Sequence, residues 1–204
     1  MSRFLAFAAT AALAIVGLST AGATPADAIT KGQVQAKALS ISDMPTGWSV
    51  NNAASSATSN CSGSNKPAKH DEKVVVSYDD GNVPDMSETI EGGPSAGTAY
   101  RAAVKRLNKC TSLKVASGGT TLKGGGGAMS FPATPGAKTS AYAFTLSDKG
   151  VSIGFDFVLF DAGSYAGLVS LADLGTPDTS LLQYFVSAAV DKAEGMALPS
   201  APSS

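Results

Sequence analysis

The chain has 204 residues, 44% of them hydrophobic and only 15% charged, with 15 Lys and Arg against 16 Asp and Glu and a formal net charge of −1. That length holds one domain or at most two small ones. The balanced charge argues against a basic nucleic-acid binder and a polybasic membrane-surface protein, because both need a net positive field. A single His and two Cys leave little material for a metal cage or an imidazole-based active site.

Residues 1–28 have the organisation of a secretory signal peptide. Arg3 supplies the positive charge, residues 5–18 form a nearly unbroken apolar run, and no charge intervenes between Arg3 and Asp27. Small-x-small sites follow at Ala21-Gly22-Ala23 and Ala26-Asp27-Ala28. Cleavage after Ala28 is preferred to cleavage after Ala23, because Ile29 and Thr30 open a foldable segment. An apolar run of about fourteen residues is short of the roughly 20 that span a bilayer. The expectation is therefore an exported protein, secreted or periplasmic at the cell envelope, with no membrane span after signal cleavage. With no cysteine near either cleavage site, the bacterial lipoprotein route is closed. In oxidising surroundings Cys61 and Cys110 are an even pair outside any C-x-x-C, and a disulfide is expected.

The first element past the leader is a short helix from Lys31 to Ser40, ended by the Pro45-Thr46-Gly47 turn, with Trp48 anchoring that turn to the core. Residues 51–73 hold no large apolar side chain and read as a long polar loop tied down by Cys61. Strands are expected at 74–78 and 86–91, with Asp79-Asp80-Gly81-Asn82 as turn chemistry between them. Ser95 is read as the N-cap of a helix running to Lys109, with Ala96, Ala99, Tyr100, Ala103 and Leu107 on its apolar face. Further strands are expected at 112–117, 128–131, 139–146, 151–160 and 165–173. The strict alternation of Val151, Ile153, Phe155, Phe157 and Leu159 against Ser152, Gly154 and Asp156 predicts a half-buried antiparallel strand. Thr176 as N-cap, Pro177 at the first position and Gly195 beyond the end mark a closing helix. The fold class is α+β, a single domain over residues 29–195 with helices packed on a central antiparallel sheet, followed by a disordered tail at 196–204.

Several motifs touch on chemistry. Gly93-Pro94-Ser95-Ala96-Gly97 fits the G-x-S-x-G of a hydrolase nucleophile elbow between a strand and a helix. The only histidine, His70, precedes that serine, the reverse of the order in that fold, and Pro94 with Ser95 is accounted for as a helix entry. His70 has no second His or Cys pair with which to complete a zinc site, and reads as a surface residue. Asp79, Asp80, Asp85 and Glu88 lack the Asp-x-Asp-x-Asp-Gly pattern of a calcium loop and read as a solvated turn. Lys123 followed by four glycines lacks the Gly-Lys-Ser/Thr ending of a phosphate loop and reads as a flexible connector. Arg101, Lys105, Arg106 and Lys109 read as a solvated helix face. Asn60-Cys61-Ser62 formally fits a glycosylation sequon, weakened by the cysteine at its centre. No catalytic, cofactor-binding or metal-binding residue is assigned.

Taken together, these features resemble a family of exported actinobacterial proteins. They are the short helix followed by Leu39-x3-Asp43-Met44-Pro45-x-Gly47-Trp48, a Ser/Asn-rich stretch carrying Cys61, a helix with Tyr100-x2-Ala103 that ends in Cys110, and alternating strands closed by an amphipathic helix. The chain is similar to the PknH-like extracellular sensor domain, found on mycobacterial Ser/Thr kinases and on free-standing secreted or lipid-anchored proteins. The resemblance covers residues 30–195. It implies an α+β domain with a central antiparallel sheet, a groove for an unknown ligand, and no enzymatic activity. The chain departs from the kinase sensor pattern in having one disulfide rather than two, and in carrying neither a kinase domain nor a lipobox. The functional expectation is a secreted, non-enzymatic ligand-binding or sensor-like domain at the cell envelope, without a cofactor. Its partner would be a small envelope ligand or an envelope protein, and its binding surface would lie near residues 118–127 and the strand at 151–160. The alternatives are a secreted serine hydrolase using Ser95 and an envelope protein-protein interaction module.

Overall fold

The computed structural model describes residues 29–51, 58–59, 61, 71–81, 83–117 and 120–202; the leader expected at 1–28, His70 and Asn60 lie outside them. Three α-helices are present among these residues, α1 (Lys31–Lys37), α2 (Ala96–Leu107) and α3 (Thr179–Glu194), with a 3-10 turn at Ile41–Asp43. They pack on one nine-stranded antiparallel sheet in the order β1-β3-β4-β9-β8-β7-β6-β5-β2. Its strands are β1 (Ser49–Val50), β2 (Thr58–Ser59), β3 (Glu72–Asp79), β4 (Asp85–Gly92), β5 (Ser112–Ser117), β6 (Thr120–Met129), β7 (Lys138–Asp148), β8 (Val151–Ala162) and β9 (Tyr165–Leu174). The α+β class read from the sequence is the class observed.

The hydrophobic interior divides into two clusters, one on each side of the sheet. On one face the α2 residues Ala99, Ala103 and Leu107 meet Phe144, Phe155, Phe157 and Leu168. On the other, Phe185, Val186 and Ala189 of α3 and Val34 of α1 meet Met86, Ile90, Val158, Phe160 and Val169. The half-buried strand expected at 151–160 is therefore corrected. β8 is buried on both faces from Ile153 to Phe160, and the residue set opposite the aromatic row continues from Asp156 into Val158 and Phe160. Alternation over the first six residues hid this, because Ser152 and Gly154 stand where a polar face would begin.

The glycine run is a second correction. Gly124 to Gly127 form the middle of β6 rather than a flexible connector. A Cβ on Gly124 would meet the Thr145 carbonyl oxygen of β7 at 1.7 Å, and one on Gly126 the Ala143 oxygen at 2.0 Å, so the two strands approach closely only where side chains are missing. The closing helix also shifts by two residues at its start. Asp178, not Thr176, is the N-cap, accepting from Ser180 N–H at 2.7 Å and Leu181 N–H at 3.3 Å, and Gly195 caps the far end in the left-handed region at φ 79°.

Cys61 and Cys110 form the expected disulfide, with Cα atoms 6.1 Å apart. Trp48 anchors its turn as expected, packing edge-on to Phe185 with ring centroids 5.1 Å apart. Past Gly195 the described residues, 196–202, form no helix or strand, yet Leu198 packs against the α3-side cluster. Among the described residues no helix is long and apolar enough to cross a membrane.

Candidate functional site

A polar cleft of about 650 Å³ lies where the first two turns of α2 meet the end of β8 and the start of β7. Two glycine-bearing turns shape it. Gly163, at φ 72°, closes the β8–β9 hairpin, and Gly136, at φ 82°, enters β7; both conformations favour glycine. Gly93 N–H donates to the Ser164 carbonyl at 3.0 Å, which fastens the hairpin to the entry of α2.

Charge enters the cleft from three elements. Arg101 projects from α2, Lys138 opens β7 and Asp161 stands near the end of β8. Arg101 and Lys138 are exposed, and the Asp161 carboxylate is half-buried. Gly97 is the floor between opposite charges. A Cβ there would lie 3.4 Å from Asp161 Oδ2 and 3.6 Å from Arg101 Nη1. Arg101 Nη2 donates to Thr98 Oγ1 at 2.8 Å, which holds the guanidinium along the helix. The cleft presents the Arg101 guanidinium on its helical wall and, on the sheet, Lys138 and Asp161 at paired positions of β7 and β8, an arrangement that orients a small polar molecule by hydrogen bonds and charge.

Two groups of buried acids lie elsewhere. On the α2 side of β4, Asp85 is almost fully buried and accepts from Asn51 Nδ2 at 3.3 Å. Burial pushes its carboxyl up to about 7 against the lowering effect of Asn51, with the charge of Asp79 adding to the rise. Beside it, Ser87 and Ser170 pair through their hydroxyls at 2.8 Å. On the other face Glu88 is fully buried, accepts from Leu39 N–H at 2.6 Å, and is also pushed up to about 7 by burial. Burial together with nearby Glu88 and Asp43 pushes the Tyr78 hydroxyl up to about 12, while that hydroxyl donates to the Leu39 carbonyl at 2.9 Å. Close by, Asp43 pairs with Lys192 of α3. Burial alone would raise Asp43, but hydrogen bonds from Lys192 and Ser40 hold it below the usual carboxylate value.

The sequence-expected residues fall as follows. Ser95 begins α2 at φ −99° and ψ −1°, an ordinary conformation rather than a strained elbow, and its side chain makes no capping hydrogen bond. Its N–H instead donates to Asp71 Oδ1 at 3.3 Å. The solvated-turn reading holds for exposed Asp80, whereas Asp85 and Glu88 are buried and point to opposite faces of the sheet. No group of metal-ligating side chains occurs among the described residues. Of the basic face on α2, Arg101 joins the cleft and Arg106 Nε donates to the Cys61 carbonyl at 3.1 Å, while Lys105 and Lys109 are exposed. Lys138 and Asp161 carry no local motif and were not legible as site residues. Glu88 left a signal, since it sits between Met86 and Ile90 at the period of two that defines a core face.

No family model, curated protein or solved structure matches the chain.

Proposed function

We propose that this chain is a secreted, non-enzymatic ligand-binding domain of the sensor type, acting at the cell envelope and taking a small polar ligand in the cleft between α2 and the β8–β9 turn. The observation that carries the reading is the cleft itself. It is about 650 Å³ in volume, within the range of small-molecule sites, and Arg101, Lys138 and Asp161 converge on it from three elements. Arg101 and Lys138 suit an acidic group of the ligand, and Asp161 suits its hydroxyl or amine donors. The signal-like N-terminus and the disulfide support export. The resemblance to the PknH-like extracellular sensor domain points to the same class of protein.

Titration of the isotope-labelled chain with glucuronate and with glucose 6-phosphate tests the placement. Amide shifts are expected at Gly97, Arg101, Lys138 and Asp161, and the Arg101→Ala/Lys138→Ala variant is expected to bind at least about tenfold more weakly. Perturbations confined to another surface would refute the site. The hydrolase alternative predicts a covalent adduct at Ser95 with a fluorophosphonate probe; an unlabelled Ser95 removes it.

A further inference from the structure

A second cavity, of about 360 Å³, lies at the other end of α3 from Gly195, lined among others by Trp48, Pro45, Leu181 and Tyr184. Two more of its lining residues, Ser200 and Pro202, come from the chain's own C-terminal tail. Leu198 of the same tail packs against the α3-side core. The tail reads Leu198-Pro199-Ser200-Ala201-Pro202, two prolines three residues apart with no charge from Met196 to Ser204. We propose that this cavity is a groove for an extended, proline-bearing peptide, and that the tail is its resident ligand, a strap that must leave before another such peptide enters. It involves residues other than those of the polar cleft and stands independently of the ligand proposed there.

The aromatic side chains that line the groove are each held by other parts of the fold. Trp48 N–H donates to the Pro45 carbonyl at 3.3 Å, closing the turn that carries the indole. The indole packs edge-on to Phe185, and Tyr184 lies 5.4 Å from the same ring. Tyr184 Oη donates to the Asp43 carbonyl at 2.6 Å, which fixes the position of its ring, and the residue also lines the cavity. Fixed aromatic walls suit proline. The pyrrolidine locks φ, so the extended form costs little further entropy on docking, and of the two tail prolines Pro202 lines the cavity. Aromatic-lined grooves take such segments by this mechanism.

Trp48 is the only tryptophan, so its fluorescence reports on the groove directly. Three chains are compared: the full chain, the chain ending at Gly195, and the full chain carrying Pro199→Gly and Pro202→Gly. Acrylamide quenching of Trp48 is expected to rise about twofold in both altered chains. A peptide of residues 196–204 is expected to bind them saturably and restore the quenching of the full chain. It should bind the full chain at least about tenfold more weakly, because a tethered tail competes at millimolar effective concentration. The same peptide with both prolines replaced by glycine should bind the altered chains at least about tenfold more weakly than the native peptide. The Pro→Gly chain keeps Leu198 and carries the test if truncation unfolds the protein. Unchanged quenching in the altered chains, no saturable binding up to millimolar peptide, or equal binding of the glycine peptide would each overturn the proposal.

Discussion

On one face of the sheet α1 and α3 together cover strands from β3 through β8, whereas on the other the single twelve-residue α2 packs on β8 and β9. The difference is written into the strands beneath. The α3 face of β3 and β4 carries Val74, Tyr78, Met86 and Ile90, interrupted by Glu88; the α2 face of the same strands carries Ser77, Asp85, Ser87, Thr89 and Glu91, all buried. Apolar stripes follow the helices, and polar side chains occupy the strands that α2 does not reach. The α2 side thus depends on a compact aromatic cluster and the staple beside it, and the α3 side on broad helix burial. A buried polar atom without a partner costs about 1–3 kcal/mol, and Ser77 Oγ and Thr89 Oγ1 have no hydrogen-bond partner among the described residues, so the polar half of the α2 face contributes less to stability than its burial suggests.

The strongest way to break this contrast is Phe157→Ala. Phe157 is fully buried, stacked between Tyr142 and Phe144 with centroids 5.6 and 5.7 Å away and Phe155 at 6.2 Å. Its truncation is expected to cost about 4 kcal/mol in urea unfolding, and a loss below about 2 kcal/mol would show that the cluster does not hold that face. Removing the Cys61–Cys110 bridge by paired serine substitution should cost about 2–4 kcal/mol through the unfolded chain. In the folded state, hydrogen exchange should accelerate in α2 and spare α3; uniform acceleration would contradict a division between the faces.

A further contrast lies in pH dependence. Asp85 and Glu88 have carboxyls raised from their ordinary 3.8 and 4.5 to about 7, and Asp156 is raised to about 6, all by burial. The folded state binds these protons more tightly, so their stabilisation is complete below about pH 4 and is lost as pH rises toward about 7. Asp43, held low, acts oppositely and loses its contribution as pH falls through the acid range. The melting midpoint is therefore expected to drop as pH rises from about 5 to about 8. Glu88→Gln and Asp85→Asn should each flatten that slope, one through each face. A slope unchanged in both variants would place the dependence elsewhere.

Much of the fold was legible. The periodicity of Ala96, Ala99, Tyr100, Ala103 and Leu107 located α2, and the β-branched and aromatic runs located six of the strands, with 128–131 catching only the end of β6, because those patterns are local consequences of helix and strand geometry. The two-residue strands β1 and β2 left no pattern to read. The candidate cleft was legible only in Arg101, which was noticed as one charge among four on a helix. Lys138 and Asp161 are ordinary strand-end residues, and nothing in their neighbourhoods along the chain marks them.

What the sequence determined by itself is the arrangement of signals along the chain: a charged residue and an apolar run at the N-terminus, a cysteine pair suited to bridging, a helix-strand order and a near-zero charge that disfavours polyanion binding. The tertiary structure alone decided which faces are buried. It placed helices on both sides of β8, drew β6 against β7 along a row of missing side chains, sent Asp85 and Glu88 to opposite faces of one strand, and brought Arg101, Lys138 and Asp161 to one cleft. The physical reason is that secondary structure follows from neighbours a few residues apart, whereas burial and convergence depend on partners from distant parts of the chain, which local periodicity does not encode.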